Sequence, residues 1–119
     1  MLTTLLILLL SASNSFTITN FPVVIEAEVT KYSELDSCHY PKNGKCLVAT
    51  GDEAFIGGIA CPRSWPLGVI AEIEGRAYIC NDRYNENLSD RLDIWAGYGQ
   101  EAYQEAKRFG IQTHQIKLY

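Results

Sequence analysis

Apolar and polar residues alternate along residues 21–32, with Ile25, Ala27 and Val29 set against Glu26, Glu28 and Thr30. A period of two predicts a strand with one buried and one wet face. Shorter β-prone apolar runs follow at 46–49, 56–61, 69–73 and 76–81, and THQIKLY at 113–119 closes the chain with a last alternating strand. Turn signals separate them: Pro41 and Asn43-Gly44, Thr50-Gly51, Pro62 with Pro66-Leu67-Gly68, and Glu74-Gly75. The paired glycines Gly57 and Gly58 predict a close backbone approach or a bulge. The spacing predicts a helix over 100–109, with Glu101 in its first turn, Lys107 and Arg108 in its last, and Gly110 as C-cap. Ala102, Ala106 and Phe109 give that helix a narrow apolar face.

About six short strands and one helix, joined by Gly/Pro turns, predict a mainly β domain built as a small barrel or sandwich. The chain contains no internal repeat and no low-complexity tract, and its 119 residues suit one domain rather than two.

The stretch 76–95 holds the candidate chemistry. A strand ends at Asn81-Asp82, a polar loop runs over 83–90, and Asp93 then sits between Leu92 and Ile94-Trp95. A loop that leaves a strand and returns can bring Asp82 and Asp93 to one cleft. Burial beside apolar groups raises a carboxyl pKa, and an acid still protonated near neutral pH can act as a general acid. On these residues alone the plainer reading is that Asp93 ends a strand or caps the following helix.

Composition narrows the setting. LLILLL at 5–10 followed by SASNS resembles a secretory signal peptide, with cleavage expected near Ser13 or Ser15, although no Lys or Arg precedes the apolar run. Uncleaved, residues 1–15 would be a short N-terminal anchor, and no other membrane contact is expected. Residues 16–28 then form a lead-in that includes the start of the first strand. Cys38, Cys46, Cys61 and Cys80 form an even set that fits export to an oxidising compartment. Of the three possible pairings, Cys38–Cys46 and Cys61–Cys80 are favoured, the first closing a loop and the second joining two strands. A metal site is not expected, since no CxxC spacing occurs and the histidines are only His39 and His114. The formal charge of −4 offers no basic stripe for nucleic acid.

Taken in order, these features resemble the 3D (three-aspartate) domain family, a double-psi β-barrel shared by membrane-bound lytic transglycosylase A and the stationary-phase survival proteins. The resemblance spans 29–119. Val29-Thr30-Lys31-Tyr32 looks like the family's opening strand with its Thr-x-Tyr. Ala49-Thr50-Gly51 looks like its Thr-Ala-(Ser/Thr)-Gly turn, with Val48 where Thr is usual. Gly58-Ile59-Ala60, Pro62 and Pro66-Leu67-Gly68 look like Val-Ala-Val-Asp-Pro…Pro-Leu-Gly. Asp82 matches the acid after the Tyr-x-x-x-Asp strand, and Arg91-Leu92-Asp93-Ile94-Trp95 matches Arg-Ile-Asp-Ile-Tyr at the family's interval. Gly97-Tyr98-Gly99-Gln100-Glu101-Ala102 is similar to the Gly-x-Gly-x-Glu-Ala that opens the helix in lytic transglycosylase A.

The resemblance implies a six-stranded double-psi barrel with one helix before the last strand. It also implies an enzyme that cleaves peptidoglycan or a related glycan without a cofactor. Asp93 would be the single acid/base, with Asp82 holding or tuning it. Tyr32, Thr50, Arg83 and Tyr84 would line the substrate groove, while Tyr78 and Trp95 read as core aromatics and Asp90-Arg91 as a solvated pair. Asn87-Leu88-Ser89 is a glycosylation sequon, meaningful only in a eukaryotic secretory route. Two departures stand out: Cys61 replaces the family's first aspartate, and DRYNENLS replaces its glycine-rich loop. A Cys61–Cys80 disulfide would then occupy the first acid's place and pin the barrel beneath the site. Those departures keep two other classes in view. One is a non-catalytic carbohydrate-binding or wall-loosening module like the expansins, and the other a secreted inhibitor or effector on a stapled scaffold.

Overall fold

In the computed structural model, which describes residues 22–38, 40–84 and 91–119, the long alternating run forms β1 (Val23–Ser33). Ala27 and Val29 face a buried core while Glu26 and Glu28 face water. The following elements are α1 (Glu34–Ser37), β2 (Tyr40–Lys42), β3 (Lys45–Leu47), β4 (Gly58–Cys61) and β5 (Ile70–Ile73). β6 (Arg76–Arg83), β7 (Arg91–Gly97), α2 (Gly99–Phe109) and β8 (Gln112–Leu118) complete the order.

Six strands close a barrel in the order β1-β7-β4-β6-β5-β8, with β8 paired back to β1. Pairing of β1 with β7 and of β4 with β6 is parallel, and the other four neighbours are antiparallel. This mixed closed sheet is compatible with a double-psi barrel, and closure leaves it no free edge. The barrel begins at Val23, already in register with Leu118. Among the described residues no helix is long and apolar enough to cross a membrane. The leader-like residues 1–15 lie outside the described residues.

The expected strand over 46–49 forms only as Lys45–Leu47 and stands outside the barrel, in a hairpin with Tyr40–Lys42. Asn43 and Gly44 take φ of 53° and 79°, the positive values a two-residue hairpin turn demands. Glu74 and Gly75, at 50° and 79°, turn β5 into β6 in the same way. The sixth barrel position belongs to β7, the strand that carries Asp93. The short α1 lies within a stretch whose turn residues predict a loop.

The helix α2 lies against β1 and β7 and buries Ala102 and Ala106 as its spacing predicts. Gly110, at φ 64°, ends it, with its N–H donated to the Ala106 carbonyl. The side chain at its N-cap, Tyr98, makes no capping bond. The Glu34 carboxylate of α1 instead accepts the Gly99 N–H at 3.2 Å.

Val29, Ile59, Leu92 and Ile116 fill the barrel interior, all fully buried. Both favoured disulfides are present, with Cα–Cα distances of 5.7 Å for Cys38–Cys46 and 5.8 Å for Cys61–Cys80. Two disulfides are consistent with an extracellular or cell-envelope location, where thiols oxidise. Cys61–Cys80 lies inside the barrel core and ties the parallel strands β4 and β6 together. Cys38–Cys46 ties the end of α1 to β3.

One irregularity sets the positions of the polar groups. Ile59 is in register with Cys80, but Ala60 is in register with Asp82, so β6 carries one extra residue, Asn81. The Asn81 side chain is buried against Gly58, and its carboxamide has no hydrogen-bond partner among the described residues. A Cβ at residue 58 would stand 2.6 Å from the Asn81 Nδ2, so any larger residue there forces the buried carboxamide to move. Gly58→Ala is therefore expected to lower stability by about 1–3 kcal/mol in a urea titration, as overpacked cores do.

Candidate active site

Strand parity decides which groups reach the outer face of β7. Leu92 and Ile94 point into the barrel, so Asp93 and Trp95 point the other way. The apolar neighbours in sequence are therefore not what surrounds the Asp93 carboxyl. Its surroundings come from across the sheet: Thr30 of β1 is in register on one side and Ala60 of β4 on the other. The extra residue in β6 turns Asp82 to this same face, beside Ala60.

Asp82 and Asp93 line one cleft of about 310 Å³. Tyr32, Arg83 and Tyr84, three of the four groove residues implied by the resemblance, also line it. Thr50 does not: it is exposed, and its hydroxyl donates to the Asp52 carboxylate at 3.0 Å. The cleft also takes in Asp36 and Ser37 of α1, which the sequence does not single out, and Lys31 of β1 and Arg91 of β7, which it names without a place in the groove. Only Ser33-x-x-Asp36, the spacing of a capping box, hints at an ordered Asp36. Asp36 Oδ1 accepts the Ser33 N–H at 2.9 Å and the Ser33 hydroxyl at 3.2 Å.

The acids differ in what they already hold. Asp82 is only 5% exposed and both its oxygens are used. Oδ2 accepts the Tyr32 hydroxyl at 2.9 Å, and Oδ1 accepts the Ala49 N–H at 3.0 Å. Asp82 thus fastens the 48–51 loop and the Tyr32 ring, and burial with this nearby acid pushes the Tyr32 phenol well above its ordinary value. Asp93 is half-buried, and its Oδ1 accepts the Thr30 hydroxyl at 3.0 Å. Burial pushes its carboxyl up to about 7. The Thr30 bond and the Arg91 charge oppose that rise, and the Asp36 and Asp82 charges add to it.

The remaining expected contacts resolve as follows. Arg83 donates from Nη1 to the carbonyls of Pro62 at 2.7 Å and Trp65 at 2.6 Å, holding the turn after β4. The Tyr84 hydroxyl lies 2.9 Å from the Thr30 Oγ1. Trp95 is buried, edge-on to Tyr32 with ring centroids 5.2 Å apart, and Tyr78 belongs to the barrel core. Among the described residues the partner of Arg91 is Glu28, whose Oε1 its Nε and Nη2 reach at 3.1 and 2.7 Å. Parallel pairing places Glu28 opposite Arg91, which favours this cross-strand pair. Asp90, His39 and the 87–89 sequon lie outside the described residues. Cys61 points into the barrel, on the opposite face of β4 from the cleft, so the disulfide sits beneath the site and Ala60 is the β4 residue that lines it.

No protein-family model matches the chain, and no curated protein matches it.

A carboxyl raised to about 7 also affects folding. Between its unfolded value near 4 and about 7 the folded state holds the extra proton, so stability falls as pH rises through this window. Asp93→Asn removes that dependence. Its melting temperature is expected to match wild type near pH 4 and exceed it at pH 8, by on the order of a few kcal/mol in stability.

Proposed function

We propose that the protein is a glycan-cleaving enzyme of the lytic-transglycosylase type, with Asp93 as its single general acid/base and peptidoglycan or a related glycan as substrate. The observation that carries this reading is the Asp93 carboxyl itself. It is half-buried, holds a proton near neutral pH, and opens onto a polar cleft of about 310 Å³. A general acid works best with a pKa near the operating pH. The order and spacing of the motifs that resemble the 3D domain family support the same assignment.

In this mechanism protonated Asp93 gives its proton to the oxygen of the glycosidic bond, and the C1–O bond breaks. The carboxylate then takes the proton of the C6 hydroxyl on the same sugar. That oxygen attacks C1 and closes a 1,6-anhydro ring, so no water and no second acid enters the reaction, unlike the usual pair of carboxylates. Asp82 acts as a fastener, holding Tyr32 and the 48–51 loop at the cleft wall. The two disulfides and the leader-like residues 1–15 support a secreted or envelope protein.

The carbohydrate-binding alternative has less support in the cleft walls. Of the two tyrosines that line the cleft, Tyr32 is buried edge-on to Trp95 and offers no open ring to a sugar, and Tyr84 is half-buried with its hydroxyl against Thr30.

The test is digestion of purified peptidoglycan, with mass spectrometry of the soluble products. Wild-type protein is expected to release 1,6-anhydro muropeptides, and Asp93→Asn to do so at least ~10²-fold more slowly. Equal rates in the two proteins would sink the reading. Sedimentation of the wild-type chain with the polymer but without products would point to the binding module. Because the acid must enter protonated, wild-type turnover is expected to decline as pH rises above about 7.

A further inference from the structure

The Thr30 hydroxyl carries one hydrogen and has three polar neighbours. These are Asp93 Oδ1 at 3.0 Å, the Leu92 carbonyl at 3.4 Å and the Tyr84 hydroxyl at 2.9 Å. A phenol is the stronger donor of the two hydroxyls, and a carboxyl oxygen is the strongest acceptor within reach. The arrangement that uses every group therefore runs one way: Tyr84 donates to Thr30, and Thr30 donates to Asp93 Oδ1. Burial keeps the Tyr84 phenol protonated by raising it well above its ordinary value, so the donor end of the chain does not ionise.

We propose that Tyr84 and Thr30 are positioning residues that hold Asp93 Oδ1 as a permanent acceptor and leave Oδ2 as the one oxygen that gives and takes the proton. The inference rests on the acid/base reading of Asp93 and deepens it. Oδ2 loses its proton to the bridging oxygen and recovers one from the attacking hydroxyl, so both transfers occur at a single fixed atom. No bond in the described residues engages Oδ2.

Each element around the carboxyl contributes a group. β1 supplies Thr30 and Tyr32, β6 supplies Asp82, Tyr84 follows just after β6, and β4 supplies the Ala60 methyl. Arg91 of β7 favours the ionised carboxyl, while Asp36 of α1 and Asp82 disfavour it. Of these, Thr30 is the one described as donating a hydrogen bond to the carboxyl. Register fixes it there, since Thr30 is directly paired with Asp93 across the parallel β1–β7 ladder.

The experiment follows the Asp93 carboxyl by 13C NMR through a pH titration of the full chain. Thr30→Val keeps the β-branched shape and removes the donor, and is expected to move the Asp93 midpoint up by about one pH unit. Thr30→Ser restores the hydroxyl and is expected to return the midpoint to within a few tenths of wild type. Tyr84→Phe breaks the chain one link earlier and is expected to give a smaller upward move. The alkaline limb of the pH–rate profile should follow the same midpoints, with KM little changed.

An unmoved midpoint in Thr30→Val would overturn the inference, as would a Thr30→Ser midpoint displaced as far as that of Thr30→Val. Should Thr30→Val fail to fold, Tyr84→Phe decides the question alone, and an unmoved midpoint there overturns it. The functional reading fails separately: a fully active Asp93→Asn protein removes it, whatever the titrations show.

Discussion

The extra residue in β6 is the constraint on which the cleft depends. A strand shows alternate side chains to opposite faces, and the faces of a closed barrel are an apolar interior and an outer surface. Without Asn81 the alternation through Tyr78 and Cys80 would send Asp82 into the core among Ile59, Leu92 and Ile116. An ionised carboxylate there would have no polar partner and would be strongly disfavoured. The bulge turns Asp82 outward, where it meets the Tyr32 hydroxyl and the Ala49 N–H. The bulge itself is accommodated because Gly58 has no side chain where the Asn81 carboxamide lies. A glycine in one strand thus leaves room for the extra residue that precedes Asp82 in its neighbour.

The two acids then divide the work between them. Asp82 is saturated by donors and rigidifies the wall of the cleft. Asp93 has one oxygen engaged by Thr30, and sits where burial disfavours its charge. Fully bonded carboxylates are structural, and under-bonded, half-buried ones are available for proton transfer. Asp36 adds a third negative group from outside the barrel, on a short helix that the Cys38–Cys46 bridge and the Glu34–Gly99 bond hold against the rest.

Much of this was legible in the sequence. Period-two alternation marks β1, turn residues mark the β5–β6 corner, and charges with a terminal glycine mark α2. These are local signals, and local chemistry fixes them. The motif order that resembles the 3D domain brings forward Asp82 and Asp93, which do line one cleft. What could not be read depends on register. The apolar flanks of Asp93 suggest a greasy pocket, yet alternation sends Leu92 and Ile94 away from it. The partner of Arg91 is Glu28, sixty-three positions away, found only once the parallel ladder is known. Thr50 sits in a turn motif that looks like a groove element, but its hydroxyl is occupied by Asp52 at the surface. Asp36 is drawn in by a helix too short to leave a periodic trace.

The place of β8 in the barrel has a consequence for how the chain must assemble. This strand lies between β1 and β5, so those two strands are joined in the barrel through β8, which follows both of them in the chain. Until it docks, β1 and β5 each present an open row of amides and carbonyls to any passing strand. Contacts so distant along the chain make for slow closure. The folding chain is therefore at its most adhesive in the interval before β8 docks.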